Sequence, residues 1–364
     1  MTFVAAGFEP VAEEFFRTLG EGGAAFAAVV DGEPVVDLWG GDVDGDTLYL
    51  VFSGTKGLVA VCMLLLVERG SLDLDAPVAC YWPEFDKQEV LVRHVVSHTA
   101  GLPGLRRGIG VADLLGGPGF AAELAVEPLF WEPGTRLAYH AFSYGALCGE
   151  LIRRVDGRTA GAFFADEVAA PLRLELWIGL PAAQERRVAR LCRAAGYGPV
   201  APEEPEPLLE VLYGDLLTGP LVWNDPALHQ TEIPAANAIG TARAIARLYS
   251  SLDSILSEGT LRLGRTELAR GACAITRRPY AFGVGFELQT ELCSFGPVAS
   301  AFGHTGSGGS VHGAWPGERV GFSYAVNELR AEAEDDRARR VLAALAQALR
   351  ARSSVDQKSS PVLM

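Results

Sequence analysis

The chain has 364 residues, 49% of them hydrophobic, enough to bury a large core in one or two lobes. Its net charge of −14 and pI near 5.0 argue against nucleic acid or an anionic membrane surface as a partner. The longest apolar run, residues 58–67, is too short to cross a bilayer, and residues 1–10 lack the basic start and apolar stretch of a secretory signal, so a cytoplasmic protein with no membrane partner is expected.

In chain order, Val11, Phe15, Phe16 and Leu19 recur at helical spacing, and glycines from Gly20 to Gly23 end that element. Residues 24–30 and 34–39 are strand-like apolar runs joined by Asp31-Gly32-Glu33, a hairpin signal, and 48–52 reads as a further short extended piece. From Thr55 to about Ala274 the pattern is mainly helical with long loops. That stretch includes an apolar helix at 144–155, a long helical candidate at 235–252 and a Pro- and Glu-rich segment at 199–207, whose acidic run Glu203-Glu204-Pro205-Glu206 reads as a solvated loop. Strands return at 281–288, 310–315 and 320–326, the last two joined by Pro316-Gly317-Glu318. A closing helix covers 332–350 and the tail 353–364 is expected to fray. Strands on either side of a helical insertion join most simply into one sheet. The expectation is an α+β fold: an antiparallel sheet flanked by N- and C-terminal helices, built from residues 1–54 and 275–352, beside an all-helical lobe at 55–274.

Six cysteines (Cys62, Cys80, Cys148, Cys192, Cys273, Cys293) make no CxxC pair and no zinc-like spacing with histidine, which reads as buried free thiols in a reducing compartment. No metal and no cofactor are expected.

The segment Val51-Phe52-Ser53-Gly54-Thr55-Lys56-Gly57-Leu58 carries an S-x-x-K motif. In a helix starting near Ser53, residues three apart share a face, so the amine of Lys56 reaches the serine hydroxyl. A helix N-terminus favours an alkoxide there and disfavours an ammonium. The apolar run that follows desolvates the amine and lowers its pKa further. Lysine occurs only at Lys56, Lys87 and Lys358 in a chain that otherwise uses arginine, and of the two cations only lysine can lose its proton and act as a base.

Further on, Glu132-Pro133-Gly134-Thr135-Arg136-Leu137-Ala138-Tyr139-His140-Ala141 places a tyrosine beyond a turn, where beside a lysine it can serve as acid or base. Phe302-Gly303-His304-Thr305-Gly306-Ser307-Gly308-Gly309-Ser310 is a strand of small residues, along which backbone N–H groups can approach a developing oxyanion. Taken singly, the tyrosine is an ordinary half-buried aromatic and the glycine-rich stretch a hairpin loop.

Together and in this order, the three segments resemble the serine beta-lactamase superfamily, in particular class C beta-lactamases, family VIII carboxylesterases and related acyltransferases. Val96-Ser97-His98-Thr99-Ala100-Gly101-Leu102-Pro103 and Gly70-Ser71-Leu72-Asp73-Leu74-Asp75-Ala76-Pro77-Val78 match two further stretches of that family, so the resemblance spans about residues 24–326. It implies the fold inferred above with a site between the lobes. It also implies Ser53 as acylated nucleophile, Lys56 as base, Tyr139 as partner tyrosine, and the N–H groups of Ser53 and Ser307 as oxyanion hole. His304, Thr305 and Gly306 would line the substrate, and His140 either lines the pocket or points away.

Two departures stand out. The family's Y-x-N reads Tyr139-His140-Ala141, and its K-T-G reads His304-Thr305-Gly306, which replaces a fixed positive charge that pairs with a substrate carboxylate. Both fit the esterase and acyltransferase relatives, with a small-molecule ester or amide as substrate, better than penicillin hydrolysis or D,D-peptide cleavage. A catalytically silent ligand-binding protein on the same fold is the reading from another class. His98 reads as a structural residue that holds its turn by hydrogen bonds, and His94, His229 and His312 have no assigned partner.

Overall fold

The computed structural model describes residues 2–195, 197, 208–214, 216, 219–331 and 334–359; the acidic run at 203–206 lies outside them. A nine-stranded antiparallel sheet organises the molecule. Across it the strands run Phe3–Val4, Glu33–Gly40, Ala24–Val30, Val320–Val326, Val311–Trp315, Phe302–Thr305, Glu287–Leu288, Pro279–Phe282 and Ala269–Ala272. The first and last thirds of the chain therefore meet at its centre, where Ala24–Val30 pairs with Val320–Val326. Asp31 and Gly32 both take positive φ, 51° and 81°, as a two-residue hairpin turn with the native strand twist requires.

One face of the sheet is covered by the helices Glu9–Thr18 and Arg337–Ser359, which pack on each other. Phe8, Val11 and Phe15 join Val341, Leu342 and Leu345 over Phe26, Trp315, Phe322 and Tyr324 in one buried cluster. The last helix runs beyond the expected span of 332–350 and takes in backbone positions expected as tail, since its sequence offers no glycine or proline to stop it before Pro361.

The other face meets the helix Ala242–Ser250, which packs on Val320–Val326 and Ala24–Val30. This helix falls inside the 55–274 span expected as helical lobe, yet it belongs to the sheet. It is also shorter than the expected 235–252. Thr241 accepts a hydrogen bond from Ala244 N at 3.2 Å and caps its start, and the preceding Ala238–Gly240 is a strand of a small three-stranded sheet with Tyr49–Leu50 and Leu176–Ile178. The expected strand 281–288 is likewise two strands, broken by a turn with Gly285 at φ 75°.

Between sheet and helical lobe runs Thr55–Glu68, buried at every residue from Thr55 to Leu66 and packed on the helix Ser143–Asp156. Its apolar circumference leaves no face for water, as a central core helix requires. Its first turn lies so close to the helix Ala242–Ser250 that a Cβ at Gly57 would overlap the Tyr249 hydroxyl. Two glycines beside a lysine, poor for helix formation, are thus what lets this helix start against other elements. Among the described residues no helix is long and apolar enough to cross a membrane, and all six cysteines are unpaired, with Cys62, Cys148 and Cys273 buried and Cys80, Cys192 and Cys293 exposed.

Candidate active site

The site forms where the central helix begins. Phe52, buried and ring-packed edge-on against Trp223, takes a left-handed φ of 46° immediately before Ser53. Such a conformation in a bulky residue costs about 1–3 kcal/mol and persists only where the surroundings impose it. Thr55 helps impose it. Its Oγ1 donates to Phe52 O at 2.6 Å and accepts from Ala238 N at 2.7 Å, binding the elbow to the small sheet. Ser53 is left half-buried at the head of the helix.

Lys56 has no exposed surface. Its Nζ lies 3.1 Å from Ser53 Oγ and donates to the carbonyls of Ala141 at 2.8 Å and Ala235 at 2.9 Å. Burial holds its pKa well below the usual 10.5, against weaker opposing contributions from Cys148 and Glu287. A neutral amine has two N–H bonds and one lone pair. With both N–H bonds on carbonyls that can only accept, the lone pair faces the serine hydroxyl.

The Tyr139 hydroxyl hydrogen bonds to Ser53, while burial pushes its pKa well above 10 in spite of that bond. The side chain is therefore a phenol at neutral pH. Its ring stacks on Tyr280 at 5.1 Å and on His98 at 4.9 Å. His98 also holds the backbone on both sides of the tyrosine: its carbonyl accepts from Ala138 N at 3.0 Å and its Nδ1 from His140 N at 3.0 Å. The Ser97-His98-Thr99 turn thus acts as the mount for Tyr139.

His140 is not brought to the substrate side. Its Nδ1 donates to Ala138 O at 2.5 Å and its Nε2 accepts from Leu102 N at 3.3 Å, so both ring nitrogens are engaged by backbone. Ala141 has no side-chain amide, but its carbonyl is one of the two acceptors for Lys56.

The third segment closes the site from the sheet. A Cβ at Gly306 would overlap the Val51 carbonyl oxygen, so only glycine lets the backbone after this strand lie against the segment that leads into Ser53. Thr305 faces elsewhere, its N–H and Oγ1 both donating to Glu287 Oε2, at 3.0 and 2.8 Å. Glu287 is buried and paired with Arg278 at 2.9 Å; burial opposes its ionisation, but Arg278, His304 and the Thr305 N–H outweigh this and lower its pKa. His304 is buried, and desolvation lowers its pKa to about 4 despite the nearby Glu287 carboxylate, so it is neutral near pH 7.

Ser307 Oγ is 2.8 Å from Tyr197 OH. The turn after it is clamped by the buried Arg337, whose Nη2 donates to the carbonyls of Gly308 and Glu328, both at 3.1 Å, and to Asp335. Arg337→Ala is expected to lower stability by about 3–5 kcal/mol, because it strands a buried carboxylate and frees the Ser307 turn; thermal melting is the measurement.

Sequence reasoning missed the two carbonyl acceptors, the Glu287–Arg278 pair, Tyr280 and Tyr197. Only Glu287 left a trace, as a lone carboxylate in the apolar stretch 280–288. Of the other histidines, His94 Nδ1 accepts from Leu91 N at 3.2 Å, His229 bridges Glu185 and Trp223 O, and His312 pairs with Ser323 at 2.8 Å. Among the described residues no group of three or more His, Cys, Asp or Glu side chains could hold a metal ion.

This architecture has counterparts. The Beta-lactamase family model matches residues 12–347. The chain is 34% identical over 337 residues to the esterase/beta-lactamase LipL of Mycobacterium tuberculosis, covering 85% of this chain and 77% of that protein. It superposes on the crystal structure of a family VIII carboxylesterase with a TM-score of 0.87 at 32% identity, over 96% of this chain and 99% of the other. A penicillin-binding protein homologue from Caulobacter crescentus gives a TM-score of 0.86 at 33% identity, again over 96% and 99%. The antiparallel sheet, the flanking helices and the agreement over nearly the whole length all point one way: the chain belongs to the Beta-lactamase family, on the fold of the serine beta-lactamases and transpeptidases.

Proposed function

We propose that the chain is a serine esterase or transacylase that works through an acyl-enzyme on Ser53. The observation that carries this reading is the buried amine of Lys56, 3.1 Å from Ser53 Oγ with its other two directions taken by the carbonyls of Ala141 and Ala235. Its lone pair takes the Ser53 proton as Oγ attacks an ester or amide carbonyl carbon. The carbonyl electron pair moves to oxygen, and the N–H groups of Ser53 and Ser307 stabilise that oxyanion. When the tetrahedral adduct collapses, the bond to the leaving group breaks. The departing oxygen or nitrogen takes a proton from the Tyr139 phenol, which is restored by the proton held on Lys56. Water, an alcohol or an amine then attacks the acyl carbon by the same route in reverse, giving hydrolysis or transfer.

Whole-length relatives named as esterase and carboxylesterase support the class of activity, with small-molecule esters as the substrates. The neutral His304 and the missing amide at Ala141 support esters over penicillins. The test is incubation with an activated aryl ester followed by intact-protein and peptide mass spectrometry. An acyl adduct on Ser53 is expected; no adduct and no turnover across a panel of esters would sink the reading. Tyr139→Phe keeps the ring stack but removes the proton donor, and is expected to lower kcat about 10²–10⁴-fold with a small change in KM, as stopped-flow kinetics would read.

A further inference from the structure

The imidazole of His304 has a definite polarity. Nδ1 lies 2.8 Å from Thr305 O and 3.7 Å from Glu287 Oε2. Both neighbours can only accept, so the ring proton sits on Nδ1 and Nε2 carries the lone pair. That Nε2 is fully buried and has no hydrogen-bond partner among the described residues. The ring borders the reaction site, 6.2 Å from the Tyr139 ring whose hydroxyl contacts Ser53. A buried acceptor without a donor is costly, and such groups are completed by water or by a ligand. The lysine of the K-T-G relatives at this strand position can only donate and carries a charge that suits a carboxylate. Here the same place offers a neutral acceptor, backed by the Glu287 carboxylate.

We infer that His304 Nε2 accepts a hydrogen bond from the substrate, so that the group lying along the 304–307 strand is a hydroxyl or an amine N–H and not a carboxylate. The inference rests on the acyl-enzyme reading above and adds the polarity of the substrate. His304 is in this view a specificity-determining residue. It selects acyl donors that carry a hydrogen-bond donor away from the reacting carbonyl, and it disfavours the anionic compounds that a lysine would attract.

The experiment uses p-nitrophenyl esters of matched acyl length that end in methyl, hydroxymethyl or carboxylate, with kcat/KM measured for the wild type, His304→Phe and His304→Lys. The wild type is expected to prefer the hydroxyl-ended ester to the methyl-ended one by at least about tenfold, the equivalent of one buried hydrogen bond, and to turn over the carboxylate-ended ester slowest. His304→Phe is expected to erase the hydroxyl preference, and His304→Lys to raise the carboxylate-to-methyl ratio at least about tenfold. Because these are ratios within each protein, a general loss of activity in a variant does not mimic them. A wild type that turns over the carboxylate-ended ester best, or a hydroxyl preference equal in wild type and His304→Phe, overturns the inference while an adduct on Ser53 leaves the acyl-enzyme reading standing. Absence of any adduct from the methyl-ended ester removes both.

Discussion

Ser53→Ala is expected to lower turnover of an activated ester by about 10⁴-fold or more and to abolish the acyl adduct, with the fold intact by circular dichroism. Only one oxygen is removed, from a half-buried side chain, and Lys56 keeps its two carbonyl partners at Ala141 and Ala235. The loss would therefore report chemistry and not unfolding. Residual turnover within about tenfold of the wild type would mean that the nucleophile lies elsewhere.

Lys56→Met is expected to slow acylation about 10²–10⁴-fold, and Lys56→Arg to give no rescue, because a guanidinium does not release its proton. In the wild type the acylation rate should rise with pH as the amine loses its proton and reach its plateau well below pH 10.5, since burial depresses that pKa. Stability should move with pH as well. The folded-state pKa lies below that of the unfolded chain, so between the two values the unfolded chain binds a proton that the folded chain does not. Folding is disfavoured by this residue throughout that window, and the penalty grows as pH falls from about 10.4 toward the folded-state pKa. Lys56→Met removes the penalty but leaves two carbonyls without their donor. Its melting temperature relative to the wild type should therefore become steadily more favourable as pH is lowered through that window. A difference that does not change with pH would indicate an ordinary, protonated lysine at this position and would remove the proposed base.

How much of this was legible in the sequence depends on how far apart the interacting groups lie. The Asp31-Gly32 hairpin, the capped helix at Thr241 and the three-residue spacing of Ser53 and Lys56 are local, and local sequence carries them. The cap was nevertheless passed over in favour of a longer helix at 235–252, because the alanines of 235–246 suit a helix and give no sign that Ala238–Gly240 pairs with Tyr49–Leu50. A tertiary partner overrode propensity there. The split of 281–288 has a local origin instead, a turn at Gly285 that hydrophobic patterning passes over.

For the site, sequence alone determined the buried character of the helix after Ser53, the pairing of hydroxyl and amine one turn apart, and the family that three widely separated motifs resemble. Each follows from short-range spacing or from residue type. Tertiary structure decided what those groups are in chemical terms. Lys56 Nζ is held against Ser53 by carbonyls 85 and 179 residues away, and the burial that lowers its pKa comes from the same distant packing. His140 is held by backbone at Ala138 and Leu102, and His304 is a neutral acceptor because burial and the carbonyl of Thr305 fix its proton on one nitrogen. Protonation state and hydrogen-bond direction depend on which acceptors surround a group and on how much water is excluded, and both come into being only when distant parts of the chain pack together.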